Sequence, residues 1–256
     1  MRKQAIMKSC STLLAVVFLA VFNLCAQVVD DGASLTLTNQ TNSYIGDVII
    51  GTNGSLTLLT ISSDALLTNT GNGFIGLSAT AQNNEVRLDS STARWFMGIN
   101  LFVGTNGSFN RLTISNGGMV VNRDSLIGYN NSAANNEVVV SGAGSLWTNS
   151  GQVNLGVESS GNRLVISNGA HVSSQAASLG ITAFFPGASN NTATVTGPGS
   201  TWNNQGSLTI GNHGNNSRLV ISNSAFVDDA FATIGAGDHA SNCEAVVTGS
   251  GSVWSN

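Results

Sequence analysis

Beyond its first 26 residues the chain alternates apolar and polar positions with a period of two, and no 3.6-residue periodicity is sustained. Short alternating phrases such as Leu112-Thr113-Ile114-Ser115 and Glu137-Val138-Val139-Val140 are punctuated by Gly, Asn and Ser. That pattern predicts short strands joined by tight turns. The phrases also recur. NNEVRLDSSTARW at residues 83–95, NNEVVVSGAGSLW at 135–147, NNTATVTGPGSTW at 190–202 and NCEAVVTGSGSVW at 242–254 are versions of one another. Their tryptophans, Trp95, Trp147, Trp202 and Trp254, lie 52, 55 and 52 residues apart. A fixed period of this size marks a stacked array.

Each unit opens on an apolar-Gly step (Ile50-Gly51, Val103-Gly104, Leu155-Gly156, Ile210-Gly211) and continues with a strand phrase beginning at Leu59, Leu112, Leu164 or Leu219. A second step follows at Gly76, Gly128, Gly180 and Gly235, and the tryptophan phrase closes the unit. The two halves resemble each other, so one unit of about 52 residues holds two coils, one of about 24 and one of about 28 residues between glycine steps. The expected fold is all-β: a single-stranded parallel β-helix of roughly nine coils. At about 4.8 Å per coil its length is on the order of 40 Å. Residues 27–46 lack the tryptophan phrase and read as an atypical N-terminal capping coil, with residues 47–256 as the solenoid proper. The array stops two residues past Trp254, and the natural protein is expected to continue.

Aligning the halves predicts two columns. Glu85, Arg111, Glu137, Arg163, Thr192, Arg218 and Glu244 should stack with alternating charge, interrupted once. Such exposed pairs contribute about 0.2–1 kcal/mol each, and a slip of one coil would place like charges together. Trp95, Val120, Trp147, Val172, Trp202, Val227 and Trp254 form the other column. It is either a packed interior stripe or an exposed sugar-stacking platform. Asn83, Asn135, Asn190 and Asn242 recur before the strand, where Asn tolerates a left-handed backbone.

Residues 1–26 read as a secretory signal peptide, with Arg2, Lys3 and Lys8 ahead of an apolar run and a mature start at Gln27. Cys25 suggests lipidation, but bulky Leu24 precedes it. Cleavage would remove both lysines and Arg2 and leave six Arg against thirteen Asp+Glu, a net charge of −7. That charge disfavours nucleic acid and anionic membranes as partners. Only Cys243 would remain, so no internal disulfide forms. With 9% charged residues, the surface is covered mainly by Ser, Thr, Asn and Gly.

Chemistry-bearing residues are few. Asp228 and Asp229 are the only adjacent carboxylates in the units, with Asp238 nearby. A polysaccharide lyase or hydrolase would need such groups together in a groove, yet neighbouring strand residues face opposite ways. His171, His213 and His239 fall at unrelated repeat positions, and His239 with Cys243 is too small a set for a metal. No catalytic, cofactor-binding or metal residue is assigned. The third unit carries three extra residues in its loop at 181–189. Phe184, Phe185 and Pro186 there form the candidate ligand-binding loop, set against a loop folded onto its own coil.

The phrase order resembles the bacterial repeat associated with type V secretion (autotransporter) and PEP-CTERM proteins. Residues 164–172, Gly180, 191–202 and 208–211 carry the resemblance best, and it extends over about residues 47–256. Asp89-Ser90-Ser91-Thr92 departs from the Gly-rich turn. The resemblance implies an exported cell-surface or extracellular β-solenoid and supplies no catalytic residues. A structural or adhesive, passenger-like role is the leading expectation, with glycans or host and matrix surface components as partners and self-association through an open solenoid end. The alternatives are a polysaccharide-active β-helix enzyme and a non-catalytic glycan-binding module.

Overall fold

In the computed structural model, which describes residues 8–9, 25–182 and 187–256, every element is a β-strand and the strands form three sheets of ten, nine and nine strands. Each coil contributes one strand to each sheet in turn. The leading sheet takes Ser34–Leu37, Leu58–Ile61, Glu85–Leu88 and their successors to Glu244–Thr248. The tryptophan sheet runs from Thr41–Tyr44 to Val253–Ser255. The glycine-step sheet runs from Cys25–Val29 through Asp47–Ile50 to Phe231–Ala236. Among the described residues all strand pairings are parallel except that of Lys8–Ser9 with Cys25–Val29, and one isolated antiparallel bridge joins Ile181 to His213. The fold is therefore a parallel β-solenoid of about nine turns.

Matching positions on the leading sheet are 26 residues apart in most coils, as at Val86, Leu112, Val138 and Leu164. The unequal 24 and 28 residues between glycine steps come from the turns. The tryptophan coil has longer corners and is followed by a shorter connection. Leu164 and Ala193 are 29 apart, because the three extra residues of 181–189 lie between them. The sequence boundary at residue 46 falls between the second and third strands of the first coil, Thr41–Tyr44 and Asp47–Ile50.

Alternation puts one face of every strand inside. Burial runs eBiBi along Arg111–Ser115 and Arg163–Ser167, and iBiBi along Glu137–Ser141. Leu, Ile and Val fill one continuous core with Trp95, Trp147 and Trp202 fully buried. The tryptophan column is in register: Trp95 pairs with Val120, Val120 with Trp147, Trp147 with Val172, and so on to Trp254. Burial rules out the exposed sugar platform at these three tryptophans.

The two-coil period has a packing cause. The inner column of the glycine-step sheet reads Gly73, Leu101, Ser125, Val153, Ala177, Leu208, Ala232, alternating small and large. A Cβ on Gly73 would lie 2.7 Å from Cζ2 of Trp95 and 2.5 Å from Sδ of Met97. The register places Ser125, Ala177 and Ala232 in the same relation to Trp147, Trp202 and Trp254, each in the coil before its tryptophan. Large faces small at native packing density, so the repeat spans two coils.

The charge column stacks as its alternation predicts. Arg111 pairs with Glu85 and Glu137, and Glu137 with Arg163; Thr192 follows, then Arg218 and Glu244. Glu137 bridges two guanidinium groups, 3.2 Å from Arg111 and 3.3 Å from Arg163, and Arg218 pairs with Glu244. Glu85 departs from the pattern: Arg87 on its own strand binds it at 2.7 Å and Thr113 donates to it at 3.2 Å.

A second interior column was not apparent from the repeat phrases. Asn84, Asn110, Asn136, Asn162 and Asn191 are fully buried and stacked. The backbone N–H of each of the first four donates to the side-chain oxygen of the next, at 2.8–2.9 Å. The apolar-Gly steps exist because of this ladder. Gly104 has φ +77°, and a Cβ on it would sit 2.2 Å from Nδ2 of Asn136; Gly51, Gly76, Gly128 and Gly156 face the other ladder amides as closely. Only glycine lets the backbone come that near.

Candidate functional site

The connection from the glycine-step sheet to the leading sheet runs into the ladder position of each coil. Just before each ladder position one residue turns left-handed: Leu56, Asn83, Phe109, Asn135, Gly161, Asn190, Asn216, Asn242. Their φ values lie between 52° and 72°. The expectation for Asn83, Asn135, Asn190 and Asn242 is met. Leu56 at φ 63° and Phe109 at φ 60° are the exceptions. A left-handed backbone costs such side chains about 1–2 kcal/mol, which Asn and Gly largely avoid. Both side chains are nevertheless exposed, 69% for Leu56 and 53% for Phe109. They do not pack into the core that would offset the cost.

The backbone holds these residues in one column. Leu56 N–H donates to Gln82 O at 3.1 Å, Asn83 N–H to Ser108 O at 3.2 Å, and Phe109 N–H to Ala134 O at 3.1 Å. The exposed order is thus Leu56, Asn83, Phe109, Asn135: apolar, amide, apolar, amide. At one coil per step the two apolar side chains are roughly 10 Å apart. They arise from twin turns, GTNGSL at 51–56 and GTNGSF at 104–109.

The outer column of the preceding strands reads Ile49, Phe74, Phe102 and Leu126, aromatic in the middle two coils. Phe74 stacks on Phe102 with ring centroids 4.9 Å apart and planes at 16°. Tyr129 meets Phe102 edge-on at 5.6 Å and is 37% exposed. Leu126 continues the column, which then turns polar as Asn154, Ser178, Thr209 and Thr233. Residues 48–57, 72–84, 101–110 and 125–136, which make up this part of the first four coils, contain no Asp, Glu, Lys, Arg or His. Amides and hydroxyls knit the turns. Asn130 donates to Asn106 at 2.7 Å, Asn106 to Leu77 O at 3.0 Å, and Ser108 to Ser132 O at 2.7 Å. The Asp31 carboxylate, from the preceding connection, sits on the first of these turns and accepts from the Thr52 and Asn53 N–H at 2.8 and 3.1 Å.

The residues singled out for chemistry are dispersed. Asp229 is buried, and its Oδ1 accepts the Trp254 indole N–H at 2.5 Å, while Asp228 lies on the other face of the strand. Burial pushes the Asp229 carboxyl above its ordinary range; the indole bond opposes this and Asp228 adds to it. His171 contacts Thr201 Oγ1 at 2.6 Å on the outer face of the tryptophan sheet. His213 sits beneath Gly237. Cys243 occupies the end of the amide ladder and donates to Gly214 O at 3.2 Å. Among the described residues no three His, Cys, Asp or Glu side chains converge where they could hold a metal ion. Phe184, Phe185 and Pro186 lie outside the described residues. The flanking Thr182 donates to Glu158 at 3.0 Å.

Sequence reasoning passed over Leu56 and Phe109. The available signal was their place before the ladder residue, where the other six coils carry Asn or Gly. No family model matches this chain, and comparison with curated proteins and with solved structures yields no match either.

Proposed function

We propose that this chain is an exported cell-surface or extracellular β-solenoid with a structural or adhesive, passenger-like role. The observation that carries the proposal is the use to which the repeat is put. The Trp/Val column, the amide ladder, the glycine steps and the charge column all serve coil-on-coil stacking. Few repeated positions are left over for chemistry, and Leu56 and Phe109, which depart from the repeat, share one outer column. The phrase resemblance to repeats of autotransporter and PEP-CTERM proteins supports export, as does the N-terminal pattern of basic residues followed by an apolar run.

The polysaccharide-active alternative is disfavoured because Asp228 and Asp229 point to opposite faces and Asp229 is engaged by Trp254. Export is tested by expressing the chain with its N-terminal segment and following it by fractionation and protease shaving of intact cells. Chain that stays protected inside the cell sinks the reading. Catalysis is tested on a panel of acidic and neutral polysaccharides. Product release abolished by Asp228→Ala or Asp229→Ala would replace a passenger with an enzyme.

A further inference from the structure

We infer that the exposed column Leu56, Asn83, Phe109, Asn135, together with the flanking Phe102 and Tyr129, binds a neutral polysaccharide strand lying along the solenoid axis. This deepens the adhesive reading and rests on it.

Three observations converge. First, Leu56 and Phe109 hold left-handed backbones that Asn or Gly fill in the other coils, yet their side chains project into solvent. Residues kept in a disfavoured conformation without a packing return mark a functional surface. Second, the column alternates apolar and amide side chains at one-coil intervals. Sugar rings present apolar C–H faces flanked by hydroxyls. An apolar side chain covers the ring face and an amide, both donor and acceptor, meets the hydroxyls. Third, these stretches of the first four coils contain no charged residue and no histidine of their own, and the charges beside them are mainly carboxylates: Asp31, which accepts from the Thr52 and Asn53 N–H at 2.8 and 3.1 Å, and Glu85 and Glu137, which flank Arg111. A surface edged by the carboxylates of Asp31, Glu85 and Glu137, with Arg111 already paired to Glu137, repels a phosphate, sulfate or uronate polymer, as does the acidic balance of the chain. A neutral sugar polymer is the occupant that this composition fits.

The test exploits the repeat itself. Leu56→Asn combined with Phe109→Asn installs the residue that other coils use, so the variant should fold and melt no lower than the parent. Affinity electrophoresis compares the two in gels containing a soluble neutral β-glucan or galactomannan, with polygalacturonate as the acidic control. The expected result is retardation of the parent by a neutral polymer only, weakened at least tenfold in the double variant. Asn83→Ala should weaken it further than any outer-face substitution in later coils, such as Thr209→Ala. Unchanged retardation of the double variant overturns the inference, as does a parent that no neutral polymer retards. A concentration-dependent increase in mass by sedimentation, abolished in the variant while retardation is absent, would make the occupant a second copy and likewise overturn it. Adhesion of intact cells that survives the double variant would remove this site and leave the adhesive reading standing.

Discussion

The indole N–H of Trp147 donates to the side-chain oxygen of Asn122, one coil earlier, at 3.0 Å, and both residues are buried. Asn69 serves Trp95 in the same way at 3.1 Å, and Asp229 serves Trp254. Trp202 breaks the pattern. Ser174 stands at the equivalent position before Trp202, and the indole N–H of Trp202 has no partner. The shorter side chain bonds Asn204 instead.

That gap yields a stabilising substitution. Ser174→Asn restores the amide that the other units use and should satisfy the Trp202 N–H, adding about 1 kcal/mol. The reverse change, Asn122→Ser, strands the Trp147 N–H and should cost about 1–3 kcal/mol. Urea midpoints of the two variants should move in opposite directions; movement in the same direction would break the argument.

The amide ladder makes a harsher prediction. Asn136 accepts from the Asn110 N–H at 2.8 Å and donates to Ala133 O at 2.7 Å. Asn136→Ala leaves both groups buried without a side-chain partner, at about 1–3 kcal/mol each. Gly104→Ala should be no milder, because the added Cβ would lie 2.2 Å from Nδ2 of Asn136 on a backbone with φ +77°. Circular dichroism melts of both variants check this. A Gly104→Ala protein that melts with the parent would mean the glycine step has slack.

Large-on-small packing can be tested by exchange. Gly73→Ala should cost about 1–3 kcal/mol through overpacking against Trp95 and Met97. Trp95→Leu alone opens a cavity and should cost about 3–5 kcal/mol, as for other buried tryptophan truncations. Combined, each change relieves part of the other's penalty, so the double-mutant cycle should show favourable coupling. Simple additivity would mean the two sites do not share space.

Asp229, buried, and Glu85, half-buried on the outer face, should give opposite pH signatures. Burial raises the pKa of Asp229, so the folded state holds its proton more tightly than the unfolded chain. The stability contribution is complete at low pH and is lost as pH rises through the raised pKa. Asp229→Asn, which keeps the oxygen for Trp254, should therefore raise the melting midpoint at pH 7 more than at pH 4.

Glu85 behaves the other way. Burial pushes its pKa up, but the hydrogen bond and charge of Arg87, with Thr113 and Arg111, outweigh burial and hold it low. Its contribution is present above the ordinary carboxylate range and lost as pH falls through the lowered pKa. Glu85→Gln should destabilise at pH 7 and be nearly silent at pH 3, read from paired thermal melts.

Sequence and fold agree where the information is periodic. The two-coil repeat, the strand alternation and the register of Glu137 between Arg111 and Arg163 are all properties of spacing, and spacing survives folding unchanged. The left-handed turn at Asn135 was legible for the same reason, since it is a local backbone preference. Asn136 was not. It carries the same letter as its neighbour, and only closure of the three sheets turns one amide outward and seals the next inside against Gly104. The pairing of Gly73 with Trp95 was equally hidden, because it crosses the interior between sheets and no spacing rule encodes which strands face one another. Leu56 and Phe109 became notable only when their φ values and exposure stood beside those of the other coils. The sequence by itself determined the period, the coil and the register of the charge and tryptophan columns along the stack. The tertiary structure decided what lies across it, because contacts between sheets depend on how the coil closes and not on how often it repeats.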